Sequence, residues 1–596
     1  MPSPFFLPSS VGMKSRSPLR KNVTRLPKLA AVMLVFLGLS TNTHLDAATA
    51  WHIHTAPLPP HIVPQTKSSF AAGRGQIHVL GDRDAALYRA AFAAQEKADW
   101  KFADEALAEV KDKKLIGHVL ADRYLRRGIN MTEARQWMAS YADLPEAATL
   151  YGMARSLHGF AKAQIARPQR GSSWSGNNGL SSTLGFRGAN DNNAREAAAF
   201  FYRGKIERAR PLAHTAASSG APLGLWIEGL SAWEQQDFGA AAQSFISLAQ
   251  TPGLSSWDRA AASYWAYRAT SHRGDKAQSY HWLAEAARYP RSFYGFMAAS
   301  LMGHHPDRSW NMPTLNEKNI ATLAARPDGW QALALVQVER SDLAESELRR
   351  LMPMNAREKQ TAALALAEMA HMPSLTLQLG GVVTNDNGQP FDAALYPLPP
   401  WQPEGGFKVD RALIYALMRR ESQFDPAAVS DKGACGLMQI MPATARHIAN
   451  ENRAEHADRN CPDRLFDPAV NMGLGQKYVR MLAEKPIIGN NLLLLLAAYN
   501  GGPGNLAHWL DGENRSDPLL FIETLPMRET RDYVQRVLLH YWMYRARLSE
   551  PETAVAQLSR GEWPRYVLRD EGGVKQADAG GLELASLEAR EMAGGQ

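Results

Sequence analysis

From about Asp84 to Met372 apolar residues return every three or four positions, with Ala, Leu, Trp and Tyr supplying most of the stripe. That spacing predicts a succession of amphipathic helices. A weak internal repeat runs through it: Ala242-Gln243-Ser244-Phe245 returns as Ala277-Gln278-Ser279-Tyr280, and Ala209 with Leu212 holds similar positions one unit earlier. Repeats of this length are helix-turn-helix units that stack into a curved solenoid, because one unit cannot bury its own apolar face. Trp226, Trp233, Trp265 and Trp282 then read as solenoid core.

The pattern breaks in three places. Residues 167–193 are rich in Ser, Gly and Asn (Gly171-Ser172-Ser173-Trp174-Ser175-Gly176), a flexible insertion in the helical region. Residues 380–406 carry turn signals and Tyr396-Pro397-Leu398-Pro399-Pro400, expected as an extended linker between domains. A helix follows up to Glu421, with Asp410 as its N-cap and Asp425-Pro426 beyond its end. The last break follows Leu548. The domain reading is a solenoid over 51–379, the linker, a second helical domain over 407–550 and a tail over 551–596.

Residues 1–50 stand apart. Lys14, Arg16, Arg20, Lys21, Arg25 and Lys28 precede a short apolar run, Leu29 to Leu39, and Ala48-Thr49-Ala50 has the form of a cleavage site. This predicts an export signal peptide, the run being shorter than the roughly 20 residues of a spanning helix. No cysteine near the site would carry a lipid. The expected location is the periplasm, free or resting on a membrane.

The leader also accounts for most of the charge. Its six bases and Asp46 carry +5 of the net +7, leaving +2 for the rest, which gives no support to nucleic-acid binding. With 45% hydrophobic and 21% charged residues the chain has a soluble globular composition. Its only two cysteines, Cys435 and Cys461, are expected to pair in an oxidising compartment, closing a loop worth about 3–4 kcal/mol. The alternative is two buried thiols.

Chemistry concentrates after the linker. Leu413, Leu417 and Glu421 lie four residues apart, so the carboxylate continues a stripe that faces the core. Desolvation there raises its pKa, as a general acid requires. The plainer reading pairs Glu421 with a neighbouring arginine. Ser422 and Ser430 follow, then Gly436-Leu437-Met438-Gln439-Ile440-Met441-Pro442, whose glycines allow a tight backbone that brings Gln439 toward Glu421. An apolar run from Leu492 to Ala498 delivers Tyr499 and Asn500 to a helix end before Gly501-Gly502-Pro503-Gly504. Glu529-Thr530-Arg531-Asp532-Tyr533-Val534 comes last, with Tyr533 placed to hydrogen-bond Glu421.

These four blocks, in this order, closely resemble the catalytic domain of the soluble lytic murein transglycosylases (family 1). The helical first half, Ser292-Phe293-Tyr294-Gly295 and the Tyr396-Pro397-Leu398-Pro399 stretch also look like that family. The resemblance implies an all-α chain: a superhelical solenoid forming a ring or horseshoe, then a mostly helical lysozyme-like domain. It implies cleavage of the β-1,4 bond between N-acetylmuramic acid and N-acetylglucosamine of peptidoglycan, without water, leaving 1,6-anhydromuramic ends. Glu421 would be acid and then base. Ser430, Gln439, Met441, Tyr499 and Asn500 would line the cleft with Tyr533, while Ser422, Gly436 and Glu529 support it. Cys435, the Ser/Gly insertion and the tail depart from the family's commoner pattern.

Two other readings stand beside this one. A hydrolytic muramidase would need a second carboxylate opposite Glu421, for which Asp425 and Asp431 are near in sequence. A non-catalytic scaffold would bind glycan strands or proteins on the solenoid. No metal motif or phosphate loop is visible, so neither metal nor cofactor is expected. The expected partners are peptidoglycan strands and proteins of cell-wall synthesis or division, with the chain a monomer.

Overall fold

The structure, a computed structural model, describes residues 54–55, 77–169, 191–304, 308–352, 356–449, 461–510 and 516–567. The expected leader at 1–50, most of the insertion at 167–193 and the end of the tail lie outside the described residues. Among those described the fold is all-α apart from one short antiparallel pair, β1 (His54–Thr55) against β2 (Ala428–Val429).

The first half includes α1 (Asp82–Glu96) and α2 (Ile116–Arg127), followed by three hairpins: α3 (Ile206–Ser218) with α4 (Pro222–Glu234), α5 (Phe238–Ala249) with α6 (Ser256–His272), and α7 (Lys276–Ala287) with α8 (Phe293–Leu301). Polar caps mark where these helices start. Asp237, Ser255, Asp275 and Ser292 each accept a hydrogen bond from a backbone N–H in the following first turn, a donor that has no partner inside its helix. The matched segments at Ala242 and Ala277 sit at different distances from the caps Asp237 and Asp275, so the hairpin repeats while its register drifts. Trp226, Trp233, Trp265 and Trp282 are all buried, and Trp226 and Trp233 meet Trp265 edge to face at 6.3 and 5.2 Å between ring centres.

The helical array closes on itself. Near α9 (Pro327–Gln337) and α10 (Ser341–Arg350), Leu80 and Gln337 exchange two hydrogen bonds of 2.9 Å, and Arg340 reaches Asp122 on α2 at 3.1 Å. His118 is buried between Glu146 at 2.8 Å and Glu347 at 3.4 Å. Contacts between residues this distant in sequence set the curvature that a stack of hairpins alone leaves open.

The segment expected as an extended linker is instead packed. Within 380–406, the short α11 (Asp392–Leu395) is buried, Arg291 forks onto Asp392 at 2.8 and 2.9 Å, and Tyr544 donates to Pro397 O at 3.1 Å. Arg419 donates to Leu395 O at 2.8 Å. The prolines and turn residues suggested extension, while Leu395 and Tyr396 supply apolar surface that must be covered.

After this come α12 (Arg411–Glu421), α13 (Pro468–Ala483), α14 (Leu492–Gly501), α15 (Pro518–Thr524) and the long α16 (Arg528–Arg547). The first part of the expected tail is packed. Residues 551–567 hold α17 (Thr553–Ser559), which buries Val555 and Leu558 on one face, and Asp410 N donates to the Tyr566 hydroxyl at 3.0 Å. One apolar core runs through both halves, with Phe293 and Phe296 of α8 stacked on Trp542 of α16 at 5.2 and 5.3 Å.

Candidate active site

The site begins with the way α12 is built. Asp410 caps it by accepting from Ala412 N at 2.8 Å, Leu413 and Leu417 are fully buried, and the same face brings Glu421 to the last turn half-buried. Burial pushes its carboxyl up to about 7. A hydrogen bond from Tyr533 and the charge of Arg420 oppose that rise, and the negative charge of Glu529 adds to it. Tyr533, buried on α16, donates to Glu421 Oε1 at 2.5 Å.

Arg420, the arginine of the plainer reading, is engaged elsewhere. It donates to Asp532 at 3.1 Å, and Arg536 binds the other oxygen of the same carboxylate at 2.7 Å. Glu421 therefore keeps a phenol as its hydrogen-bond partner, and among the described residues no cation shares its carboxylate in a short ion pair.

The loop after α12 is held in sharp conformations. Gln423, Phe424 and Gln439 have positive φ (54°, 64° and 48°), a region costly for residues other than glycine and concentrated at functional sites. Gly436 has φ +73°, and a Cβ there would come within 2.2 Å of Leu465 O. Ser422 Oγ donates to Leu437 O at 2.8 Å, tying the end of α12 to the Gly436–Pro442 run. Asn471 on α13 completes the tie: Met438 N donates to its Oδ1 at 2.8 Å, and its Nδ2 donates to Cys435 O at 2.9 Å and Leu465 O at 2.7 Å. Cys435 and Cys461 are bonded, with Cα atoms 6.0 Å apart.

The expected substrate contacts fall into two groups. Ser430 and Gln439 face their own loop: Ser430 Oγ accepts from Ala434 N at 2.9 Å, and the Gln439 amide donates to Ala428 O and Gly436 O at 3.0 and 2.9 Å. Among the described residues Gln439 Oε1 is buried without a partner. Met441 is 40% exposed. Tyr499 donates to Met438 O at 2.9 Å, and its ring stacks on Tyr533 at 6.4 Å. Asn500 donates to Glu529 at 3.2 Å and accepts from Thr530 at 2.7 Å, so its amide is fixed from both sides.

The two acids near in sequence do not meet Glu421. Asp425 accepts from Ala427 N at 2.8 Å, and burial pushes its carboxyl up to about 6, with Glu345 and Arg349 of α10 beside it. Asp431 is exposed. Glu529 is the carboxylate that bears on Glu421, although its sequence position suggested only a supporting role. Sequence reasoning also missed Asn471 and Tyr478, the latter with its ring 5.3 Å from that of Tyr499. Neither carries a local signal, since their places depend on α13 crossing the loop. Among the described residues no group of three or more His, Cys, Asp or Glu side chains could hold a metal ion.

Residues 402–522 match the family model of the Transglycosylase SLT domain. The chain is 28% identical over 305 residues to the soluble lytic murein transglycosylases of Salmonella typhimurium and of Escherichia coli K12, covering 51% of this chain and 46% of each relative. It thus spans about half the length of these curated relatives. A putative soluble lytic murein transglycosylase of Haemophilus influenzae is 33% identical over 155 residues, 26% of this chain and 24% of that protein. Among solved structures, the 70-kDa soluble lytic transglycosylase of Escherichia coli aligns at a TM-score of 0.46 and 19% identity, over 82% of this chain and all of that one. An inactive mutant of the lytic transglycosylase Slt of Pseudomonas aeruginosa aligns at 0.47 and 21%, over 81% of this chain and 75% of that one.

Proposed function

We propose that the chain is a peptidoglycan lytic transglycosylase, acting on the β-1,4 bond between N-acetylmuramic acid and N-acetylglucosamine. The observation that carries this reading is the carboxyl of Glu421, raised to about 7 by burial at the end of α12 and held by Tyr533. A group so poised is substantially protonated near neutral pH and can serve first as acid and then as base. In the first step Glu421 gives its proton to the glycosidic oxygen as the bond from muramic C1 breaks, and the substrate's N-acetyl group shares the charge at C1. In the second, the Glu421 carboxylate takes the proton of the C6 hydroxyl as O6 bonds to C1. The nucleophile is intramolecular, so no water and no second carboxylate are required. Glu529 is occupied by Asn500, which argues against its activating a water for hydrolysis.

The same reading has the solenoid guide glycan strands toward the cleft, with the chain a monomer in the periplasm that meets proteins of cell-wall synthesis or division. No helix among the described residues is long and apolar enough to cross a membrane.

The test is mass spectrometry of muropeptides released from purified peptidoglycan by the chain and by Glu421→Gln. Anhydromuropeptides from the first and none from the second are expected. Products one water heavier would move the case to a muramidase, and no products from either would leave the glycan-binding scaffold.

A further inference from the structure

We infer that Asp532 is a positioning residue for the acid: it holds the Arg420 guanidinium against α16 and so leaves the Glu421 carboxyl without a counter-ion. The inference deepens the reading above and rests on it for the reaction, though not for the contact.

Arg420 precedes Glu421 on α12, and its guanidinium carbon lies 5.8 Å from the centre of the Tyr533 ring, whose hydroxyl donates to Glu421. A permanent cation therefore sits beside the acid, one side-chain rotation from it. What turns it away is Asp532, which takes Arg420 Nη2 on one oxygen at 3.1 Å and Arg536 Nε on the other at 2.7 Å. A carboxylate needed only for Arg536, four residues along the same helix, would not have to reach across to α12. Arg420 Nε is buried and, among the described residues, has no hydrogen-bond partner, so the grip on this side chain runs through its far end. Arg536 in turn lies over the ring of Trp257 on α6 at 4.8 Å, which anchors the pair in the helical array.

The other groups around Glu421 do not replace Arg420. Tyr533 and Glu529 of α16, Tyr499 of α14 and Tyr478 of α13 face it as phenols and a carboxylate. Next to the ion pair, Arg419 is spent on Leu395 O and on His540, which burial and the nearby arginines keep neutral. Arg420 is thus the cation whose placement decides how readily Glu421 ionises. Brought within about 4–6 Å, an opposite charge lowers a carboxyl pKa by about one to three units.

The test uses the full chain and two readouts. One is the pH profile of anhydromuropeptide release from purified peptidoglycan. The other needs no activity: the gap in urea midpoint at pH 8 between each variant and the same variant carrying Glu421→Gln. Asp532→Asn is expected to move the alkaline limb down by about one unit, roughly a tenfold lower rate at pH 8, and to narrow the urea gap. Adding Arg420→Met should restore both. The same comparison is repeated with Arg536→Met present, where Asp532→Asn uncovers one arginine and not two, so that a fold lost to buried charge does not remove the test. A limb and gap that stay in place while the melting temperature falls would overturn the inference and leave Asp532 a structural ion-pair partner. Shifts that Arg420→Met fails to reverse would overturn it too. Should the parent release no anhydromuropeptides, the proposed function falls, and the urea gap alone still decides whether Asp532 governs Glu421.

Discussion

A carboxyl whose proton is held to about 7 in the folded chain, against an ordinary 4.5, makes Glu421 both the chemical asset of this cleft and a cost to its stability. The raised value means that ionising the group opposes folding. Its contribution to stability is fully present below about pH 4.5 and is lost as pH rises through about 7. Glu421→Gln should therefore be more stable than the parent by roughly 3 kcal/mol at pH 8, with the gap closing below about pH 5, measured by urea unfolding at both. Equal stabilities at pH 8 would mean that the carboxylate is well solvated. Tyr533 works in the opposite direction, since its hydrogen bond favours the ionised form. Tyr533→Phe should shift the alkaline limb of the pH–rate profile upward while lowering the maximal rate about 10- to 100-fold through lost orientation. A limb that stays put would show that the phenol does not tune the acid.

The loop between α12 and α13 holds its shape by three devices: left-handed residues, the Asn471 side chain and a disulfide. Gly436 tests the first. An alanine there would be strained both by φ +73° and by a contact of 2.2 Å with a backbone oxygen, and about 3 kcal/mol or more of stability should go. Gly502 in the other glycine-rich motif has φ +84° with open space around it, so Gly502→Ala should cost only about 1 kcal/mol. Comparable losses by urea titration would show that the crowding at Gly436 relaxes away. The bond between Cys435 and Cys461 predicts that alkylation of the folded or denatured chain without reductant adds no mass, while reduction exposes two thiols. How much of this loop could be read in the sequence is clear from its parts. The glycines announce a tight turn by their own backbone freedom. Asn471 does not, because an asparagine inside a helix becomes a loop anchor only when that helix crosses the loop.

At the scale of the molecule the two halves are joined by a polar seam over a shared core. Asp517, the cap of α15, accepts from the indole of Trp233 at 3.1 Å and from Arg268 at 2.8 Å, and Tyr294 of α8 donates to Glu523 at 2.5 Å. Asp517→Ala leaves Arg268 without its carboxylate in a mostly buried place, and a loss of about 2–4 kcal/mol is expected by thermal or urea unfolding. Unchanged unfolding would mean that the seam orients the halves without stabilising them. Residues 407–567 expressed alone would uncover Trp542 where Phe293 and Phe296 stack on it, and should melt well below the full chain.

The sequence by itself determined the features that rest on local period and local chemistry. These are the helical first half, the all-α class, and Glu421 at the end of a stripe begun by Leu413 and Leu417. Helix spacing is a property of neighbours three and four residues apart, and it survives in any tertiary setting. Tertiary structure alone decided which side chains meet across long separations. It paired Arg420 with Asp532, turned Asp425 into its own loop and brought Glu529 to bear on Glu421, whereas the bond from Tyr533 to Glu421 was already expected from the sequence. It also packed 380–406 and 551–567 against the core, because coverage of an apolar residue depends on what surrounds it in space, which local composition does not encode.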